Sequence, residues 1–577
     1  MKILGIIGDV NAGAALIEDG KILAAINEER INRMKLSNGF PVESIREVLR
    51  ITNTKPEEIE RVAYVGLRTF FYMPQKFDGW LEEPQSRLEK IKNQIISQIA
   101  SFIGFNEQVW MAMQKFRFFM TNKNKRRIRV FIKKEFGITC PIEFVDHHFA
   151  HACGAYYTFG KEDAIIISLD GGGDGYCSRI YKVKSGKLEN LYNEISYNSI
   201  GNYYAYITKL LGFKAQKHEG KITGLAAYGK PIYLDIFKKF IYCDNNGRLR
   251  NAGKLFMWTA VQKIQDSLPK DYKHEDVAAS IQILLEEEVT KYCEYWIKKS
   301  GLRDVVLVGG VFANVKLNQR LHELDCVDSV FIHPGMTDGG LNIGSAYVLY
   351  HKYDKSEVDY SKFIINDVFF GQGFTDEEIE VELKKSGLKY RYIQDIESIV
   401  AHLLFEGKVV ARFNGRMEYG PRALGNRSIL YQAIDDSVND WLNKNLHRTE
   451  FMPFAPFTMD KLQHKCYKNL KGAEHTAKFM TITFDCTDYM KEKCPAVVHV
   501  DGTARPQIIY NDINSSLYRI IDEYYKITGL PALINTSFNM HEEPIVCTPS
   551  DAIRSFQLGH LDYLAIGNFL ISNIKTR

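Results

Sequence analysis

The first thirty positions alternate between short apolar runs and polar turns. Ile3–Ile7 is apolar, Gly8-Asp9 turns, Ala14–Ile17 is apolar, Glu18-Asp19-Gly20 turns, and Ile22–Ile26 is apolar again. Apolar runs of this length bounded by Gly and Asp read as buried strands joined by tight turns. Positions 164–195 repeat the scheme, with strand Ala164–Leu169, turn Asp170–Gly175, strand Tyr176–Val183, turn Ser185-Gly186-Lys187 and a third strand. Two such units, each followed by helical sequence, predict a duplicated α/β domain with a cleft between its halves; two unrelated hairpins would leave the same trace. Leu88, Ile91, Ile95, Ile99 and Phe102 keep a helical period, predicting a helical insertion over about 66–135. A long helix is expected at 275–300 and a buried strand at Val305–Val308. The pattern loosens into polar sequence around 351–365, which divides the chain into domains 1–355 and 366–577. The second reads as α/β, with strands at Val409–Phe413, Met480–Phe484 and Tyr563–Ile566.

At 577 residues the chain is too long for one core, in agreement with that division. A net charge of only +4 gives no global attraction to nucleic acid. No stretch reaches the roughly 20 apolar residues of a membrane span, and the first apolar run is too short for a signal peptide. Ten scattered cysteines without a CxxC pair indicate neither a zinc ribbon nor a disulfide framework, so a reducing cytoplasm is expected. One local cluster departs from the balance: Lys123, Lys125, Arg126, Arg127, Arg129, Lys133 and Lys134 make either a solvated face or a site for an acidic acceptor.

The strongest local chemistry lies in Asp146-His147-His148-Phe149-Ala150-His151. Asp146 can cap a helix starting there, which puts His147 and His151 four apart on one face. Two neutral imidazoles at that spacing form half a divalent-metal site, though such a pair can also merely pack. A further ligand would come from a carboxylate on a glycine turn, and two are available. Asp170 opens Asp-Gly-Gly-Gly-Asp, and Asp338 lies in His333-Pro-Gly-Met-Thr-Asp338-Gly-Gly. Gly224–Lys230 fits G-x-x-x-x-G-K but is followed by Pro231 where a P-loop needs Ser or Thr, and no buried strand leads into it. Farther on, Gly415–Ser428 holds Arg416, Arg422 and Arg427 among glycines and a proline, with Arg448 and Arg505 beyond. Guanidinium forks match phosphate oxygens, and Asn535-Thr536-Ser537 adds small donors suited to an anion or an amide.

Seven stretches in order now resemble the NodU/CmcH-type O-carbamoyltransferase family: Glu28-Glu29-Arg30, His147–Ala152, Gly220–Gly229, Gly309-Gly310-Val-Phe-Ala-Asn314, Gly420–Ser428, Pro453-Phe-Ala-Pro456 and Leu533–Asn539. The resemblance implies an actin/Hsp70-like (ASKHA) duplicated domain followed by a YrdC-like α/β domain. It implies that the second domain makes carbamoyl-adenylate from carbamoyl phosphate and ATP, and that the first passes the carbamoyl group to a hydroxyl of a sugar, glycan or natural product. His147, His151 and Asp338 match positions that hold a metal, often iron (Mg²⁺ and Mn²⁺ being alternatives), with Asp170 beside metal and nucleotide. Lys35 and Gly201 match nucleotide contacts, and Lys221, Gly309, Gly310 and Asn314 lie in the matching nucleotide segments. Arg422, Arg448, Arg505, Asn535 and Ser537 fall on the carbamoyl phosphate side. The chain departs from the family at Gly8-Asp9-Val10-Asn11-Ala12, where relatives often carry a histidine and an aspartate, and at Met452, where some carry arginine. Asp9, the nearest titratable group, is therefore expected to serve as the acceptor's base or to orient it. Two other functions fit the same fold: tRNA threonylcarbamoyl-type transfer, and a non-catalytic nucleotide-binding module.

Overall fold

The computed structural model describes residues 1–81, 87–354, 359–435 and 454–573, with the side chains of residues 87, 90 and 92 left aside. The expected domain boundary falls partly on 355–358, and Arg448 and Met452 fall within 436–453; these lie outside the described residues.

The duplication predicted from the apolar runs is present strand for strand. β1 (Lys2–Ile7), β2 (Gly13–Glu18), β3 (Lys21–Asn27), β4 (Arg61–Val65) and β5 (Ile142–Val145) form a sheet of order β3-β2-β1-β4-β5. β1, β2 and β3 pair antiparallel, while β4 and β5 continue parallel to β1. β6 (Ala164–Gly173), β7 (Tyr176–Lys184) and β8 (Lys187–Ile195), after two intervening short strands, are joined by β11 (Asp304–Val308) and β12 (Ser329–Ile332) in the order β12-β11-β6-β7-β8. The same three antiparallel and two parallel partners recur. This repeated topology is that of the actin/Hsp70-like class. The short strands β9 (Tyr242–Cys243) and β10 (Leu249–Arg250) pair apart. Ile165, Ile166 and Ile167 on β6 and Val305, Val306 and Leu307 on β11 are nearly all inaccessible, as strands covered on both faces must be.

One turn is displaced from its expected place. Asp170–Gly173 continues β6 through an irregularity in the ladder, and the chain reverses at Asp174-Gly175, both in the left-handed region. The whole Gly66–Pro141 segment lies between the adjacent parallel strands β4 and β5. It carries the helices Arg87–Ile103 and Glu107–Phe136.

The second α/β unit is built on one eight-stranded mixed sheet. Its strands are β13 (Tyr390–Tyr392), β14 (Val410–Phe413), β15 (Arg427–Gln432), β16 (Ala455–Met459), β19 (Gln507–Ile509), β20 (Ala532–Ser537), β21 (Tyr563–Ile566) and β22 (Phe569–Ser572). They are ordered β13-β22-β21-β14-β15-β20-β16-β19, with β17 (Phe484–Asp485) and β18 (Thr503–Ala504) forming a separate pair. The strand expected over Met480–Phe484 is not formed. Met480 sits at φ 56° after a short 3-10 turn, and the next residues bond to the first unit instead. Asn318 Nδ2 donates to the Thr481 carbonyl at 2.7 Å, and Thr483 N donates to the Val315 carbonyl at 3.3 Å. Those backbone groups thus find partners across the two units rather than in the sheet.

Candidate functional site

β5 ends at Val145, and Asp146 caps the helix His147–Tyr156 by accepting from Phe149 N at 2.9 Å. The cap fixes the helix start, so His147 and His151 project from one face. His148 points elsewhere: its Nδ1 meets Ser168 Oγ at 2.7 Å and its Nε2 meets the Tyr176 carbonyl at 3.0 Å. Burial, with His147 and His151 close by, holds His148 well below the usual imidazole range, so it is a neutral core histidine.

Asp338 arrives from a distant part of the same unit because two helices approach very closely. It precedes the helix Leu341–Tyr353, which packs on His147–Tyr156. At the crossing a Cβ on Gly344 would lie 2.2 Å from the Ala150 carbonyl oxygen, and one on Gly154 would lie 2.9 Å from Gly344 Cα. Only glycines allow that contact, and it sets the Asp338 turn against the histidine face. Asp170 comes from β6, directly opposite.

The result is one cluster. His147 Nε2 lies 3.5 Å from Asp170 Oδ2 and 3.6 Å from Asp338 Oδ1; His151 Nε2 lies 3.3 Å and 3.5 Å from the same atoms. One donor atom from each of the four residues falls within 4.8 Å of all the others. Ligands about 2.1 Å from a shared ion are separated by about 3.4 Å at the edges of a tetrahedron. His151 Nε2 is buried, with no hydrogen bond of good geometry, and a buried polar atom without a partner is costly. The donor set therefore fits a divalent metal. Burial opposes charge on His147, but the Asp338 and Asp170 carboxylates outweigh it and push its pKa up to about 10. Asp170, despite its burial, is held well below the carboxylate range by the two imidazoles beside it.

Asp9 borders this cluster. Burial raises its carboxyl pKa, the Asp338 charge adds to the shift, and His147 and Arg68 oppose it. Its Oδ1 accepts from Val10 N at 2.9 Å, and the Tyr72 phenol faces it. Asp174 ties the elements together, accepting from Leu67 N at 2.9 Å, Arg68 N at 3.0 Å and His147 N at 3.0 Å. Nothing in the sequence distinguished Asp174, Arg68 or Tyr72 as site residues beyond the second Asp of Asp-Gly-Gly-Gly-Asp.

The expected nucleotide residues fall into two groups. Gly201, Gly309 and Gly310 crowd Asp170: a Cβ on Gly201 would sit 3.2 Å from the Asp170 carbonyl oxygen, one on Gly310 3.1 Å from Asp170 Oδ1, and one on Gly309 2.2 Å from the Leu169 carbonyl oxygen. Asn314 caps the helix Val315–His322 and bonds Thr223 Oγ1 at 3.3 Å. Thr223 lies on the same short helix, Glu219–Ala226, as Lys221. Lys35 lies elsewhere, beside Glu542 of the second unit, which also pairs with Lys217 and with His218 at 3.3 Å. This charged junction was not anticipated.

In the second unit the arginine constellation divides. Arg427, fully inaccessible, donates to the Asn414 carbonyl at 2.7 Å and the Gly415 carbonyl at 3.2 Å and stacks on Phe413. Arg416 donates to the Gly371 and Phe370 carbonyls at 3.0 and 2.8 Å. Both hold loops, contrary to the expectation that they contact phosphate. Arg422 is half-buried on the turn they support. Glu418 orders that turn, accepting from Leu424 N, Asn426 N and Arg427 N at 2.8, 2.7 and 3.0 Å. Asn535 Nδ2 donates to the Ala423 carbonyl at 2.9 Å while its Oδ1 stays buried without a hydrogen-bond partner. Ser537 is two residues along the same strand. Gln507, two residues past Arg505, donates to the Leu424 carbonyl at 3.1 Å. The structure thus sets Asn535 and Gln507 against the turn that carries Arg422, with Ser537 and Arg505 each two residues away along the chain.

That turn abuts the first cluster. Tyr419 Oη donates to the Gly339 carbonyl and meets Asn342 Oδ1, both at 2.8 Å, and Arg30 Nη2 donates to the Gly420 carbonyl at 2.7 Å. The segment that carries Asp338 and the segment that carries Arg422 are in contact.

Comparison with known proteins is consistent with this two-part arrangement. The family model described as carbamoyltransferase N-terminus matches residues 2–347, and that described as carbamoyltransferase C-terminus matches residues 401–573. The nodulation protein NolNO of Sinorhizobium fredii is 30% identical, over 97% of this chain and 78% of its own length. The protein MJ1051 of Methanocaldococcus jannaschii is 32% identical, over 99% of this chain and 100% of its own. Among solved structures, full-length HypF in the phosphate- and nucleotide-bound form is 13% identical, covering 62% of this chain and 47% of its own, with a TM-score of 0.36.

Proposed function

This chain belongs to the carbamoyltransferase family, and we propose that it carbamoylates a hydroxyl in two ATP-dependent steps divided between its two halves. In the first step water cleaves carbamoyl phosphate into carbamate and inorganic phosphate, and a carbamate oxygen attacks the α-phosphorus of ATP. Pyrophosphate leaves and carbamoyl-adenylate remains. In the second step the acceptor hydroxyl attacks the carbamoyl carbon, AMP departs, and the hydroxyl proton passes to a base. The observation that supports this reading most is the contact of the Arg422 turn with the Asp338 segment. It lets a labile adenylate cross between two sites within one molecule.

Arg422 and Arg505, with Asn535 and Ser537, bind the anionic groups of carbamoyl phosphate and stabilise the departing phosphate. Arg448 is assigned with them from the family motif alone. His147, His151, Asp170 and Asp338 hold a divalent metal, which supplies positive charge for nucleotide phosphates. Two imidazoles favour iron, manganese or zinc over magnesium. Gly201, Gly309 and Gly310 allow the nucleotide close to the backbone near Asp170, with Lys221 and Asn314 flanking; Lys35 is assigned to the nucleotide from the family motif alone. Asp9 takes the acceptor proton. Its buried carboxyl, with pKa already raised, is a stronger base than an exposed aspartate. The acceptor is a sugar, glycan or natural-product hydroxyl.

Pyrophosphate release tests the reading. It should require carbamoyl phosphate and ATP together, and release with either alone, or none with both, overturns it. Asp9→Asn should keep that release and slow transfer to the acceptor; unchanged transfer removes Asp9 from the base role.

A further inference from the structure

The helices between β4 and β5 show an inverted pattern. In Arg87–Ile103 the residues turned to the protein are small or polar, with Ser97 at 0% and Ala100 at 6% exposure. The large apolar residues Leu88, Ile91, Ile95, Ile99 and Phe102 form one row at spacings of three and four, and that row faces out, Leu88 being 80% and Phe102 73% exposed. The next helix, Glu107–Phe136, also turns apolar residues outward. Phe116 and Phe119, at 64% and 71%, begin an outward row that runs through Met120 to the exposed Lys123, Arg126, Arg127, Lys133 and Lys134. Its opposite side packs inward through Trp110, Ile128 and Ile132, and Trp110 Nε1 donates to the Gly175 carbonyl at 3.0 Å. Both helices are therefore anchored on the molecule, and on Glu107–Phe136 the exposed Phe116, Phe119 and Met120 lead at helical spacing into the exposed Lys123, Arg126 and Arg127.

We propose that this surface docks on an anionic phospholipid bilayer. The Glu107–Phe136 helix carries nine basic residues and two acidic ones, of which Glu135 is already paired with Arg46. The whole chain is only +4, so the rest of the molecule is net acidic and the positive charge is concentrated on this helix. Exposed apolar side chains followed on one helix face by Lys and Arg match the boundary between acyl chains and anionic headgroups. Two copies of the chain meeting through this face would instead bring like charges together. Among the described residues no helix is long and apolar enough to cross a membrane, so the binding is peripheral.

Sedimentation of the full chain with vesicles tests the proposal. The protein should pellet with phosphatidylglycerol-rich vesicles and stay in solution with pure phosphatidylcholine, and added salt should release it. The triple variant Lys123→Glu, Arg126→Glu, Arg127→Glu should weaken partitioning by roughly a hundredfold. Leu88→Ser with Ile95→Ser and Phe102→Ser should weaken it by about tenfold or more. All six positions are exposed, so circular dichroism and carbamoyl-phosphate-dependent pyrophosphate release should be unchanged. Wild-type protein that ignores both vesicle types, or pellets equally with both, overturns the proposal. So does an apolar variant that keeps lipid binding while a wild-type dimer, seen by light scattering, becomes a monomer; that outcome assigns the face to self-association.

Discussion

Gly344→Ala tests whether close helix packing is what assembles the His147, His151, Asp170 and Asp338 cluster. The added Cβ would stand 2.2 Å from the Ala150 carbonyl oxygen, where ordinary contact begins at 3.4 Å, so the two helices must separate by about 1 Å. Both partners of the clash are helix backbone, which cannot swing aside as a side chain can. Overpacking of this kind typically costs about 1–3 kcal/mol of stability. The functional cost follows from the register of the helices. Ala150 adjoins His151, and Gly344 lies in the helix that Asp338 precedes. A separation of about 1 Å pulls Asp338 away from both imidazoles, and a misplacement of that size can cost about a hundredfold in rate. Elemental analysis of the purified variant should show depleted metal, calorimetry a lowered Tm, and acceptor carbamoylation a fall of about two orders of magnitude. Pyrophosphate release from carbamoyl phosphate and ATP should suffer less, because the Arg422 turn is not displaced directly. Full metal content together with a wild-type transfer rate would refute the argument.

His151→Ala should remove a donor whose Nε2 has no other hydrogen-bond partner, and should abolish both metal retention and transfer; stoichiometric metal in that variant argues against the assignment. Arg422→Ala should cost about 2.7–4 kcal/mol in carbamoyl-adenylate formation, roughly a hundred- to a thousandfold in rate, while transfer from pre-formed adenylate persists; equal collapse of both half-reactions contradicts the division of labour. Glu219→Gln should change the pH dependence of stability. Burial raises the Glu219 pKa to about 7, above the ordinary glutamate range, so the folded state holds a proton that the unfolded chain loses first. The wild-type stability from this group is complete below about pH 4.5 and falls away as pH rises to about 7. Denaturant titration should show the variant more stable than wild type by about 1–3 kcal/mol at pH 8, with no difference at pH 4; parallel curves across that window refute it.

Much of the first unit was legible because its information is local. Strand–turn–strand alternation at 3–26 and 164–195 specifies antiparallel triplets whatever surrounds them, and the observed β1–β3 and β6–β8 follow. Asp146 as a cap, and the spacing of His147 and His151, are helix properties that need no tertiary contact. The resemblance across the whole chain likewise rested on residues readable in order. The Met480–Phe484 strand failed for the opposite reason: its apolar pattern suits a strand, but its backbone groups bond to the helix Val315–His322.

Other distinctions belong to the tertiary structure alone. Arg416, Arg422 and Arg427 are alike in sequence, and only the positions of the Gly371, Asn414 and Gly415 carbonyls separate two loop-holding arginines from the one on the turn. His148 sits between two clustered histidines, and Ser168 on a neighbouring strand is what turns it into the core. The apolar row of Arg87–Ile103 was visible as a helix, but periodicity does not say which way a face points. Packing turned it outward. By itself the sequence determined the repeated strands, the capped histidine pair and the family, because these depend on residues near one another or on their order. The tertiary structure decided which carboxylates meet the histidines, since Asp338 reaches them only where Gly154 and Gly344 let two distant helices touch.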